Sequence, residues 1–459
     1  MIDIFLYQPA NYHDDDHLYP KGLTHVGRKG PLNIAHPQLV RVLHPFRAAM
    51  EKGWVSKGHD LTEDIYSGEV RGLTKALNTI YDGKRSDSSI FVRGKSSITV
   101  LAQAHSTKLN FNGDTAESVT VLVPEGGEVT FKAKKEIIVS CGVFESPKLL
   151  MLSGIGPEAT LKAHGIPVLV NSPHVGQNLL DHPIMPYVRR LKDGYGLDGH
   201  LLRAGPARDG ATAAYRANRS GPLSSGLLEL VAFPRIDKLL QQHPEYVKAR
   251  DENNGRDPFG PGGQPHFEID LVPMFSDAFQ WHFPVPAEGD YISVIVDLTR
   301  PISQNGVVTL KSTDPLEQPY INLNYFSNDL DIMALCEGVR FIDDILTTGE
   351  GIKDIVGEHY PWPMPLNSDE AMRRQILERS QTGFHPCGSL RLGKTIEQGV
   401  IDGELKVYGT KNLRIIDASV FPVIPDCRIQ NAVYMVAEKV YYHVHLMLGT
   451  HRLFDREPI

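Results

Sequence analysis

Residues 135–154 read KEIIVSCGVFESPKLLMLSG. The opening KEIIVS is a short apolar run of the kind that forms a buried strand. A turn at Cys141-Gly142 follows. Start and stop signals then predict a helix over 146–152, with Ser146 as N-cap, Pro147 at the first helical position and Ser153-Gly154 as the stop. Such a strand–turn–helix unit presents backbone groups and a helix N-terminus at the carboxyl end of a strand, where open α/β sheets place their ligands. Taken alone, the segment reads first as a plain structural β–α unit.

Upstream, SITVLAQ (97–103), STKLNF (106–111), ESVTVLV (117–123) and EVTFKAK (128–134) alternate as short strands, with Asn112-Gly113-Asp114 as punctuation. Residues 1–94 are turn-rich and lack clear periodicity. Downstream, composition shifts bound a region at 186–380 that carries a Gly/Pro-rich loop, NNGRDPFGPGGQP (253–265). Alternating strands follow it, HFEIDLVPMF, YISVIVDLTRP and GVVTLKS, and then a helix around 328–349. These predict an antiparallel sheet with helices packed on it. In residues 381–459, LRIID (413–417) reads as a buried strand and Ala432–Met447 as a helix.

The chain of 459 residues is long enough for two or three domains. Its net charge of −8 offers no basic face for nucleic acid or anionic lipid. Cys141, Cys336, Cys387 and Cys427 form no C-x-x-C pair, which argues against a zinc site and against a disulfide scaffold. No apolar run spans a bilayer, and the first residues do not read as a signal peptide. The default expectation is a cytoplasmic chain, with secretion left open by the incomplete amino terminus described below. The acid–imidazole run at 13–17 reads as a solvated loop, so no metal is expected.

Three further residues can carry chemistry. Asp417 ends the apolar strand LRIID, as either a cap or a partner for ligand hydroxyls or amides. His385 lies in TGFHPCGSLRLG (382–393), where glycines flank an imidazole able to take a proton near neutral pH. Most of the 19 histidines of such a chain are structural, so the motif is what singles this one out. Arg428 precedes the last helix; it cannot act as a base but can stabilise an anion, and the bland alternative is a loop anchor.

The ordered set of motifs resembles the glucose–methanol–choline (GMC) oxidoreductase family. CGVFESPKLLMLSGIGP (141–157) is similar to its second signature, and VGQNLLDHP (175–183) to its V-G-x-N-L-x-D-H run. PISQNGVVTL and STDPLEQPYINLNYF resemble its substrate-domain pattern. FHPCGSLRLG, GVIDGELKVYGTKNLRIIDASVFP and the IQNAVYMVAEK helix resemble its carboxyl-terminal block. HVGRKGPLNI (25–34) and YDGKRSDSS resemble earlier landmarks, and YRANRSGPLS resembles fungal members.

The resemblance implies an α/β (α+β) fold, an FAD-binding Rossmann-like domain plus a substrate domain with an antiparallel sheet flanked by helices. The implied segments are 1–94 as a connecting remnant of the amino-terminal half, 95–185 and 381–459 as parts of the flavin domain, and 186–380 as the substrate domain. It implies FAD as cofactor and a small-molecule alcohol as substrate, with hydride passing to flavin and a histidine taking the hydroxyl proton. His385 falls on the catalytic histidine. Ser106, Cys141, Gly142, Asp417, Ala418, Ile429 and Gln430 fall on cofactor-binding positions.

Two departures stand out. Arg428 occupies a position where the family usually has His or Asn, which leaves His385 alone with the proton and suggests an acidic substrate or stabilisation of an alkoxide or of the flavin hydroquinone. No G-x-G-x-x-G follows a strand, so the sequence reads as lacking the amino-terminal phosphate cradle. A truncated chain is the expected reason, ahead of a split protein or a decayed homologue. On that reading the chain binds FAD weakly and exposes apolar surface where a strand should pair. The alternative function is a flavin-free binding or pseudo-enzyme protein.

Overall fold

The computed structural model describes residues 5–7, 30–36, 41–62, 64–68, 70–124, 126–276, 283–426 and 428–447. The 13–17 run, residues 25–29 of HVGRKGPLNI and Cys427 lie outside them. The chain divides into two compact units: Met1–Lys95, Pro183–Ile302 and Asn328–Gln381 form one, and Ser96–His182, Ser303–Ser327 and Thr382–Ile459 form the other. The mixed α/β architecture expected from the sequence is present. Residues 303–327, read from composition as part of 186–380, group with the second unit.

In the first unit, six strands run antiparallel in the order Val356–Tyr360, Pro183–Leu191, Asp290–Leu298, Phe267–Val272, Leu230–Phe233 and Gly72–Lys75. The central strands are buried along their whole length, which explains their near-continuous apolar character. The helix Asp329–Thr348 packs on the sheet, started by Asn328, whose side chain accepts from the Leu330 N–H. Gly338 permits that approach, because a Cβ there would lie 2.9 Å from the Phe267 ring and from Val296. Helices not placed from the sequence include Pro206–Asn218, Pro244–Glu252, Asp369–Arg379 and His44–Ser56, the last within the stretch taken as turn-rich. His44–Ser56 buries Phe46, Met50, Gly53 and Trp54, a helical stripe, and Arg47 forms a buried ion pair with Glu229.

The second unit holds an antiparallel three-stranded sheet, His105–Asn112, Thr115–Leu122 and Glu128–Lys132, turned at Gly113. A parallel pair joins Ile137–Val139 to Leu413–Ile415. SITVLAQ forms no strand; Ile98, Val100 and Leu101 are exposed without ladder partners in that sheet. GVVTLKS does form a strand, Gly306–Thr309, but pairs with Gln177–Leu179 and Tyr320–Asn322 rather than with the large sheet. Ile138 is 48% exposed although it sits in the parallel pair. Helices Gly142–Leu152 and Gln430–Met447 complete the unit. No helix among the described residues is long and apolar enough to cross a membrane.

Candidate active site

The parallel strands Ile137–Val139 and Leu413–Ile415 end side by side, and the backbone continues their pairing through Ile416 N–H to Val139 O at 2.9 Å. The turn Cys141-Gly142 and the acid Asp417 therefore meet at the same sheet edge. Asp417 Oδ2 accepts from the Gly142 N–H at 3.0 Å and the Ser146 hydroxyl at 2.6 Å. Its Oδ1 accepts from the Ser419 N–H at 2.8 Å and the Ser419 hydroxyl. The Asp417 side chain thus makes the contacts of a cap, one of the two roles its place in the sequence allowed.

This cap arrives from another segment, which explains why the helix begins at Gly142, four residues before the expected Ser146. Ser146 serves from inside the first turns, accepting from the Cys141 N–H at 3.0 Å. Pro147 then lies within the helix, where it deprives the Val143 carbonyl of its i+4 donor. The Ser389 hydroxyl replaces that donor at 2.6 Å. Gly142 has φ +83°, and a Cβ there would meet nothing within 4 Å. The strand ends thus open onto free space beside a helix N-terminus, a shape that fits an extended cofactor segment. Partial desolvation and the neighbouring Asp417 push the Cys141 thiol up.

The His385 segment is laced onto the same edge. Gly388 N–H donates to Ala418 O, Leu390 N–H to Ser419 O and Leu392 N–H to Val420 O, at 2.8–3.2 Å. On its other side, Leu180 and Cys387 exchange both backbone hydrogen bonds at 2.9 and 2.8 Å. Gly388 is required by this crowding: its φ is +88°, and a Cβ would lie 2.5 Å from the Asn178 carbonyl.

That lacing brings His182 against His385. Their Nδ1 atoms are 3.0 Å apart, the rings meet edge-to-face at 80°, and both side chains are buried. Two Nδ1 atoms at that distance share one proton, so one ring donates and the other accepts. Beneath them Asp181 accepts from the His182 N–H at 2.9 Å and the His385 N–H at 3.0 Å. Tyr325 and Thr382 donate their hydroxyls to its other oxygen. Burial pushes the Asp181 carboxyl up, and the four donors oppose that shift.

The remaining sequence candidates are spread over the unit. Ser106 lies on the strand His105–Asn112, opposite Val121. Arg428 is exposed, with φ +43°, just before the last helix, which begins at Gln430; Ile429 O accepts from the Val433 N–H. The sequence reading missed Asp181, His182, Tyr325 and Thr382. The first two lie in VGQNLLDHP, and only the fold brings that run to position 385.

In the other unit, Asp237, Asp257 and His266 converge. Arg235 occupies that cluster, donating to both carboxylates at 2.6–2.7 Å, so a cation already sits between them.

GMC oxidoreductase family models match residues 35–184 and 301–437, together more than half of the chain. Dehydrogenase pkfF of Emericella nidulans is 28% identical over 92% of this chain and 67% of its own length. Oxygen-dependent choline dehydrogenase of Pseudomonas putida is 29% identical over 90% of this chain and 69% of its own. Among solved structures, a formate oxidase superposes with a TM-score of 0.93 at 54% identity, covering 97% of this chain and 77% of that one. Two variants of the Aspergillus oryzae RIB40 formate oxidase, each with one arginine replaced and studied for the effect on FAD modification, match equally well. With its motifs in order and these likenesses, the chain belongs to the GMC oxidoreductases, enzymes that depend on FAD.

Proposed function

We propose that this chain oxidises an H–C–O–H unit, that its substrate is formate in its protonated form, and that His385 is the proton acceptor. FAD, when bound, accepts the hydride that leaves carbon with the electron pair of the C–H bond. The O–H bond breaks at the same centre, its proton passes to His385 Nε2, and a second C=O bond forms to give carbon dioxide. The observation that carries this reading is the buried Nδ1–Nδ1 contact of 3.0 Å between His182 and His385. For His385 Nε2 to hold a free lone pair, its Nδ1 must carry the hydrogen and donate to His182 Nδ1. The pair then keeps that hydrogen bond when Nε2 gains the substrate proton, which favours the cationic form.

Formate is favoured by the 54% identity to formate oxidase, and the guanidinium of Arg428 can donate a hydrogen bond to the carbonyl oxygen of the acid. The cofactor contacts are assigned to Cys141, Gly142, Asp417, Ala418, Ile429 and Gln430, with Ser106 on the adenosine side. Because both Asp417 carboxylate oxygens already hold protein donors, its contact with the cofactor is made by the main chain it supports. A second reading, a larger alcohol as donor, is favoured by the likeness to choline dehydrogenase and involves the same unit and the same base.

The test is anaerobic mixing of flavin-loaded enzyme with formate and, separately, with a panel of alcohols. Bleaching by formate is expected, with Arg428→Met raising the formate concentration needed by about tenfold or more. Bleaching by alcohols alone selects the second reading. No bleaching by either overturns the proposal.

A further inference from the structure

We infer that Asp181 is the positioning residue of the histidine pair, setting both imidazoles from a single carboxylate. This rests on His385 as proton acceptor. The carboxylate is 3% exposed, and a buried charge of that kind is retained only where hydrogen bonds compensate it. Here the compensation is directional. One oxygen, Oδ1, receives the main-chain N–H of both His182 and His385, so two segments 203 residues apart take their spacing from one atom.

The second oxygen controls the turn that delivers His385. Thr382 donates its hydroxyl to Oδ2 and accepts the Phe384 N–H at 2.9 Å. Phe384 has φ +61°, a left-handed conformation that is strained for a side chain of this size. The Gly383 N–H donates to His182 O at 2.8 Å, and the Tyr325 hydroxyl reaches Oδ2 at 2.7 Å. The Thr382 hydroxyl and the N–H groups of Gly383 and His385 thus all end on residues 181 and 182. Without the carboxylate the turn can relax toward an ordinary φ, and His385 moves with it. Displacement of a reacting group by about 1 Å lowers rate on the order of 100-fold.

The test compares Asp181→Ala, Asp181→Asn and Asp181→Glu in flavin-loaded enzyme, reading the rate of anaerobic flavin reduction, the substrate concentration for half-maximal rate and bound flavin per chain. Alanine is expected to slow reduction by about 100-fold with half-saturation and flavin content unchanged. Asparagine keeps an oxygen for the two N–H groups and turns its amide hydrogens to the Tyr325 and Thr382 oxygens, so it is expected to recover to within about tenfold of wild type. Glutamate, longer by a methylene, is not expected to recover the rate. Reduction by Asp181→Ala within about threefold of wild type overturns the inference. Should that variant not fold, Thr382→Val replaces it, with about a tenfold slower reduction expected and an unchanged rate overturning the inference. His385→Asn is measured in parallel: if it alone retains the wild-type rate, the proton-acceptor reading falls, and if it is slow while Asp181→Ala is fast, only the positioning role falls.

Discussion

His36 illustrates how burial rewrites the chemistry of a single residue. It is almost fully enclosed, and burial, reinforced by the charge of nearby Lys75, pushes its imidazole down to about 4. The folded-state value therefore lies below the unfolded one, so as pH falls the unfolded chain takes the proton first. The associated stability is intact above the unfolded value of about 6.5 and erodes down to the folded value. Between pH 7 and pH 5 the wild-type protein should lose about 2 kcal/mol through this group. Urea titrations at both pH values check this: His36→Leu should show a smaller drop than wild type by about that amount, and an equal drop rejects the assignment. Residue chemistry of this kind was only partly legible in the sequence. The motif around His385 singled out that imidazole among 19 histidines. Its partner His182 was not legible, because no local spacing announces a contact across 203 residues.

At the scale of elements, the strands of the hairpin and of the buried apolar runs were read correctly, whereas Pro183–Leu191 and Leu230–Phe233, equally well paired, and ends capped from afar were not. The hairpin at Gly113, the strand Ile137–Val139 and the helix Asp329–Thr348 all follow local signals. SITVLAQ alternates just as well but forms no strand, since alternation needs a neighbour to pair with. The helix Gly142–Leu152 starts early because Asp417 supplies its cap. Its Pro147 makes a specific prediction. Ser389→Ala removes the hydroxyl given to the Val143 carbonyl and should destabilise the protein by about 1–3 kcal/mol in denaturant titration. In a Pro147→Ala background the restored N–H can reach that carbonyl, so the loss on Ser389→Ala should shrink to under about 1 kcal/mol. Equal losses in the two backgrounds would reject this account of the helix.

For the whole molecule, each compact unit is assembled from distant pieces of the chain, and this organisation was the least legible feature. Composition marks a shift near 186 and again near 380, close to where the fold changes units. It does not mark the return of residues 303–327 to the second unit, because that excursion is made by a strand no different in character from its predecessors. The consequence is chemical. Tyr325, carried in by that excursion, hydrogen-bonds the carboxylate that holds both histidines, which themselves come from the runs 175–183 and 382–393. The proton-transfer claim thus gathers three separated stretches into one site. Stopped-flow reduction of flavin-loaded His385→Asn by saturating formate tests it most directly. A rate lower than wild type by about 10²–10⁴-fold, with bound flavin unchanged, is the predicted result; reduction within about threefold of wild type contradicts it.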